Sequence, residues 1–566
     1  MKHFRRATLV ALLGSLAACD PPAPTDLDSS ILALLSAPLR PGEVESFQGR
    51  SSERIGIDPG PDGAEYLLVL SNVSTSGGQS ISVTVEGAGI SPAPAVAAGV
   101  PPEEPVPTLW PRAEMPRMLD GAGFHQRLRE REERLVRELV GRLPEGGLSL
   151  MLEAAPQPVA VPQVGEIIEL NVNPFSACTD PDLRPARVEA VSEQAIVLAD
   201  LESPAGLTRA DFEEIARSFD TRIFPLATAN FGEPARRIGP PRTTIFYTTA
   251  VNELASDFGG LIGGFFFARD LFPRAARDGF QGCSASNERE MLYMLTADPD
   301  GRHGPAIPVD FIRRVTLTTA VHEHQHLVNS SRRLWILGTG NLEVVWLNEG
   351  LSHIAEELLF YQESGLSPGA NLGLQELRAA QRILDAANAH QIQNLLRYML
   401  YLDDPSAHSP VDPEDGLEMR GASWSFLRYL ADQHMEDDAE FFFNLVNTGQ
   451  QGTQNLSNRL GMALDQPLAR WNLSNLADDL VPGLPGVYRQ PSWNFRSLLP
   501  ALRDDESFPL RAEWLEPGVP ASVTVRGGSS AFLRFEVPPG QMGSLTVRAG
   551  GSSPPETARV SVVRRR

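Results

Sequence analysis

Two short segments hold the residues whose types and spacing could do chemistry. Val321-His322-Glu323-His324-Gln325-His326 contains two histidines four residues apart with a glutamate after the first, and Trp346-Leu347-Asn348-Glu349-Gly350 follows downstream. On a helix, positions i and i+4 share a face, so His322 and His326 can reach one metal ion. Glu323 then projects beside them, where it can take a proton from a water that the metal has acidified. A catalytic zinc takes three protein ligands and keeps one position open. A third histidine at the H-x-x-G-x-x-H spacing is excluded, because Asn329 and Arg332 occupy those positions. A carboxylate is therefore the better third ligand, and Glu349 is the candidate. The chemistry this points to is metal-assisted hydrolysis.

The elements that must hold these groups are helices. Phe311, Val315, Thr319, His322 and His326 continue one helical stripe, and a helix is expected over Phe311–Asn329. Val315, Thr316, Thr318, Thr319 and Val321 are β-branched and lower its intrinsic propensity, so tertiary packing must hold it. A second helix is expected over Glu349–Glu363, with Leu351, Ile354, Ala355, Leu358 and Leu359 as its apolar face. Asn348 is its expected N-cap, which places Glu349 in the first turn. His324 falls on the other side of its helix, as a packing or surface residue. Glu343 is nearer than Glu349 but lacks the helical frame after it. His353, one turn after Glu349, either hydrogen-bonds a ligand or lies on the helix surface. Tyr398, Tyr401, His408 and Arg420 are candidates for an oxyanion donor only because they lie downstream.

At 566 residues the chain is long enough for three or four structural units. Its hydrophobic fraction of 42% and charged fraction of 21% are those of a folded, soluble protein. A net charge of −22 argues against nucleic acid as a partner, because phosphate binding needs clustered Lys and Arg. Lys2, Arg5 and Arg6 precede a short apolar run, Ala7 to Ala18, which predicts a signal peptide over residues 1–18. The run ends in Leu16-Ala17-Ala18-Cys19, similar to a bacterial lipobox, so Cys19 is the expected site of lipidation and membrane attachment. The protein is then exported and membrane-anchored, periplasmic or on the cell surface. The remaining cysteines, Cys178 and Cys283, allow one pairing, and the exported setting predicts that disulfide.

Composition divides the rest. A tether is expected over 19–41, a small β unit over 42–87 and a Pro/Ala-rich linker over 88–117. An amphipathic helix follows within 118–143, with Phe124, Leu128, Leu135 and Leu139 on one stripe. It reads as a surface helix packed on its neighbour, with a removable pro-segment across the active site as the alternative. The main body, 160–500, shows strand-like pieces first and helical pieces after, including Leu374–Ala389 and Trp424–Gln433. That order indicates an α+β architecture flanked by small all-β accessory units, the second a β-sandwich-like domain over 507–566. Asp298-Pro299-Asp300-Gly301 reads as a turn and not an ion loop.

The paired segments, Ala320 to His326 and Trp346 to Ser352, resemble those of zinc metallopeptidases with a glutamate third ligand. Thermolysin and the membrane alanyl aminopeptidases share this plan. The chain most resembles the hyicolysin-like family of bacterial secreted metallopeptidases, to which Gly263-Gly264-Phe265-Phe266, Ser286-Asn287-Glu288 and Met291-Leu292-Tyr293 are also similar. The likeness covers about residues 160 to 440. It implies a zincin-like catalytic domain, one Zn2+ held by His322, His326 and Glu349, Glu323 as general base, and polypeptide substrates. An aminopeptidase is disfavoured, because no G-x-M-E-N segment precedes His322. A non-enzymatic surface lipoprotein that binds a partner is the reading from a different class.

Overall fold

The computed structural model describes residues 33–34, 38–94, 122–143, 159–204, 206–276 and 279–566. The signal segment 1–18, Cys19 and most of the tether and of the linker lie outside the described residues.

The main body is built on a six-stranded mixed sheet, in the order Gly264–Phe266, Met291–Met294, Thr243–Tyr247, Ala195–Asp200, Leu183–Val191, Ile167–Asn171. The three strands Met291–Met294, Thr243–Tyr247 and Ala195–Asp200 run parallel; the remaining pairs are antiparallel. Those three are buried along their whole length. They read as continuous apolar runs because both faces are covered. Gly264–Phe266 forms one edge, with Phe265 opposite Tyr293.

Five helices matter for the site: α1 (Ala122–Gly141), α2 (Val309–Trp335), α3 (Val345–Ser364), α4 (Ile392–Asp403) and α5 (Leu417–His434). Helix α2 packs on the strands Gly264–Phe266 and Met291–Met294 and then on α3, which in turn packs on α5. From Ala320 to Trp335 every residue of α2 is buried. In the β-branched first half, burial of Val315, Thr316, Thr318 and Val321 offsets the weak helix propensity.

Helix α3 starts four residues earlier than expected. Asn348 is not its N-cap: its N–H donates to the Val344 carbonyl at 3.0 Å, inside the helix. Burial of Trp346 and Leu347 draws them into the helix, and Glu349 sits in the second turn. Glu343 takes the Val344 N–H at 2.9 Å and the Gly452 N–H at 2.7 Å, so it closes the helix start. The continuous helix expected over Leu374–Ala389 is broken into Leu374–Leu377 and Gln381–Ala386. The extended Ala380 separates them, and its carbonyl caps the second piece. At Asp298 the chain turns as expected, with the Gly301 N–H on the Asp298 carbonyl at 3.0 Å.

The two β units at the chain ends are one structure. Strand Ser530–Val537 pairs with Ala64–Asn72 over eight register positions, and Ala558–Arg564 pairs with the other edge of Ala64–Asn72. Ala521–Arg526 and Gly543–Arg548 flank Ser80–Ala88 in a second sheet. Instead of two accessory units, the strands of both ends alternate in a single two-sheet sandwich. Alternation along Ala64–Asn72 divides its side chains. Tyr66, Leu68 and Leu70 enter the sandwich core, while Leu67 and Val69 join the core of the main body.

Candidate metal centre

His322 and His326 project from one face of α2, and Glu349 meets them from α3. The His322 and His326 Nε2 atoms are 3.2 Å apart. His322 Nε2 lies 3.4 Å from Glu349 Oε2, and His326 Nε2 lies 3.5 Å from Glu349 Oε1. Bonds of about 2.0–2.1 Å at tetrahedral angles place donor atoms roughly 3.3–3.4 Å apart, so each of these contacts is spaced as ligands of one ion are, with the two imidazoles facing different oxygens of Glu349. The donor set itself agrees with the fit. Both Glu349 oxygens are buried without a hydrogen-bond partner among the described residues and face only cationic or imidazole nitrogens, Arg129 and Arg420 besides the two histidines, so they stay ionised and free to accept a metal.

The helices can come this close because of Gly350. A Cβ there would stand 2.8 Å from Leu427 Cδ1 and 3.2 Å from Ser423 Cβ, both on α5. The glycine after the ligand serves helix packing.

Glu323 shares the cavity with His322. Its Oε2 accepts the Phe266 N–H at 2.9 Å, which ties it to the edge strand. Burial pushes its carboxyl above the ordinary range, against the pull of His322 and Arg129. That direction favours a group that takes up and gives back a proton near neutrality.

His322 is oriented from behind. Its Nδ1 lies 2.7 Å from Glu356 Oε1, which fixes the tautomer with Nε2 free. Burial opposes the charged imidazolium, but the bonds to Glu349 and Glu356 outweigh it and push His322 up to about 9 in the metal-free protein. Burial, reinforced by Arg129, lowers His326 to about 3. Glu356 was not expected from the sequence. The signal was present, since it stands seven residues after Glu349 and therefore on the same face of α3.

The other sequence candidates separate cleanly. His353 is buried, with Nδ1 3.2 Å from Glu356 Oε1, so it is not a surface residue. One of its nitrogens lies within 4.8 Å of a donor atom of His322 and of Glu349, so His353 stands beside His326 as a candidate third ligand. His324 is a core residue, edge-on to Phe219 at 5.0 Å. Tyr398 and Tyr401 are spent elsewhere, on Asn475 and Ser529 respectively. His408 does not line the cavity, and Arg420 does. Arg420 is held by Asp415 at 2.7 and 2.6 Å and places Nη1 3.2 Å from Glu349 Oε2.

Helix α1 supplies residues that sequence reasoning missed. His125 lines the cavity, and Arg129 Nε lies 3.3 Å from Glu349 Oε1. The apolar stripe of this helix was legible in the sequence, but that His125 and Arg129 beside it are buried against the site is not a local property. Away from the centre, Cys178 and Cys283 form a disulfide.

No protein-family model matches the chain. Over 155 residues it is 27% identical to the neutral metalloprotease ShpI of Staphylococcus hyicus, a stretch that is 27% of this chain and 32% of that protein. The chain thus spans about a third of the length of the curated relative it matches, and over that stretch the likeness is to a metal-dependent protease.

Proposed function

We propose that the protein is a zinc-dependent endopeptidase of the hyicolysin-like kind, with His322, His326 and Glu349 as ligands and Glu323 as general base. The observation that carries this reading is the close approach of His322 and His326 to each other and to the two Glu349 oxygens, at 3.2, 3.4 and 3.5 Å, with Glu323 lining the cavity that His322 also lines. Two imidazoles and one carboxylate are a donor set suited to zinc with one position open. When bound, zinc supplies Lewis-acid chemistry, bringing the pKa of water towards neutrality and polarising a carbonyl.

The chain's own groups do the rest. Glu323 takes the proton of the attacking water and returns it to the leaving amine. The Phe266 N–H holds one Glu323 oxygen, leaving the other to face the cavity. Glu356 holds His322 through Nδ1, which leaves Nε2 as the atom that would hold the metal. His125, Arg397 and Arg420 are among the polar side chains that line the cavity and are the candidates for stabilising charge on a former carbonyl oxygen. The Leu16–Cys19 signal supports an exported, lipid-anchored enzyme acting on extracytoplasmic polypeptides.

The test is digestion of casein by the purified protein. Activity should disappear with a chelator, return with zinc, and be lost in Glu323→Ala while zinc is still bound. Zinc binding without cleavage of any polypeptide by the wild type would instead favour the non-enzymatic binding module.

A further inference from the structure

A helix that merely packs on a neighbour needs an apolar stripe and a polar outer face. Helix α1 buries Phe124, Leu128, Leu135 and Leu139, but on the same side it also buries His125, Arg129 and Glu132. Buried charge is costly unless it finds a partner. Arg129 and Glu132 pair with each other, one turn apart, and each also reaches off the helix. Glu132 accepts the Ala268 N–H, two residues beyond the edge strand. Arg129 Nε faces Glu349 Oε1 at 3.3 Å.

Glu349 is therefore gripped from two sides. Arg129 stands at Oε1, and Arg420 Nη1 stands at Oε2 at 3.2 Å. Each guanidinium is itself braced by a carboxylate, Glu132 for Arg129 and Asp415 for Arg420. The last torsion of a glutamate side chain is soft, so the plane of the carboxylate has to be set by outside partners. No hydrogen bond does so among the described residues, since both oxygens and Arg129 Nε lack a bonded partner, and the two guanidiniums act on the carboxylate as ion pairs. The two arginines supply the orientation that keeps those oxygens 3.4 and 3.5 Å from the imidazoles.

We propose that Arg129 is a positioning residue for Glu349, and that α1 is a fixed wall of the active site and not a removable cover. The metal motif and the helix are almost two hundred residues apart in sequence, so the catalytic unit begins before the strand Ile167–Asn171. This rests on the assignment of Glu349 as a metal ligand. His125, one turn before Arg129, lines the same cavity.

The experiment measures the zinc affinity of the full chain by competition with a chromophoric chelator, alongside thermal melts of the metal-free forms. Arg129→Met should bind zinc about 10–100-fold more weakly than wild type, the range for losing a partner of a ligand. Arg129→Lys keeps the charge but not the planar fork, and should fall between them. If Arg129→Met does not fold, Arg129→Lys and Arg129→Gln carry the comparison. Zinc affinity unchanged or tighter in the folded variants overturns the proposal. So does casein digestion that rises in Arg129→Met, because α1 would then be a cover. A wild-type chain that binds no zinc overturns the metallopeptidase reading and the positioning role together; one that binds zinc as tightly as its variants overturns the positioning role alone.

Discussion

The His322 Nδ1 atom lies 2.7 Å from Glu356 Oε1, and this bond joins the two helices that carry the candidate metal ligands. Glu356 also stands 3.2 Å from His353 Nδ1, so one buried carboxylate serves two buried imidazoles. The direction of its shift reflects this: burial raises its carboxyl, but His353 and His322 outweigh burial and hold it well below the ordinary range.

Replacing that carboxylate should loosen His322 without removing a ligand. Glu356→Ala is expected to lower zinc affinity and kcat/KM by about 10–100-fold, with a smaller loss in Glu356→Gln, which keeps an acceptor for Nδ1–H. Zinc titration and peptide hydrolysis measure the two effects. An alanine variant within twofold of wild type in both would show that His322 needs no support from α3.

The neighbouring Glu357 gives a pH prediction with a definite sign. Burial raises it from the ordinary glutamate value of 4.5 to about 7, while Arg428 and the Trp493 Nε1–H, which donates at 2.6 Å, pull the other way. Between those two values the folded protein keeps a proton that the unfolded chain has released, so this group's contribution to stability is full below pH 4.5 and is lost as pH rises to 7. The loss is on the order of 1.4 kcal/mol for each pH unit in that window. Glu357→Gln keeps an acceptor for Trp493 and cannot ionise. Thermal melts of the metal-free proteins should nearly coincide at pH 4.5 and diverge by pH 8, with the variant the more stable. A constant gap across the range would mean that Glu357 titrates normally.

Much of the centre was legible because its signals are local. His322, Glu323 and His326 lie within one turn and a half of helix, and the apolar face after Glu349 announced the helix that carries it. The N-terminus of α3 was misread because Asn348 is a strong local cap, whereas burial of Trp346 and Leu347 and closure by Glu343 are tertiary effects. Glu356 was within reach of periodicity. Arg129 was not, since its partner Glu349 is 220 residues away and nothing local distinguishes it from the surface arginines of the same helix. The sandwich illustrates the same limit. Alternation identified strands at both ends of the chain, but pairing between the ends is non-local and leaves no mark in either segment.

That pairing makes the two ends fold or fail together. Phe535 is fully buried in the sandwich core and stacks on Tyr66, with centroids 5.3 Å apart. Phe535→Ala should cost about 3–5 kcal/mol. Hydrogen exchange should show lost protection in Ala64–Asn72 as well as in Ser530–Val537. Loss confined to the C-terminal strands would mean that the N-terminal strands are stable without them.

Close approach of α4 and α5 sets the position of Arg420. A Cβ on Gly421 would stand 2.3 Å from both Arg397 C and Tyr398 N, which are backbone atoms of α4 and cannot turn aside. Gly421→Ala must therefore move one helix against the other, at a cost of about 1–3 kcal/mol or more. Because Arg420 is the preceding residue, the shift should carry its guanidinium away from Glu349 and weaken zinc binding as well as lower the melting temperature. Gly416, at the start of the same helix, is the control: a Cβ there meets only the end of the Glu418 side chain, at 3.4 Å. Gly416→Ala should leave zinc affinity unchanged. If Gly421→Ala melts early but binds zinc like wild type, the seat of Arg420 does not depend on the α4–α5 crossing, and Asp415 alone holds it in place.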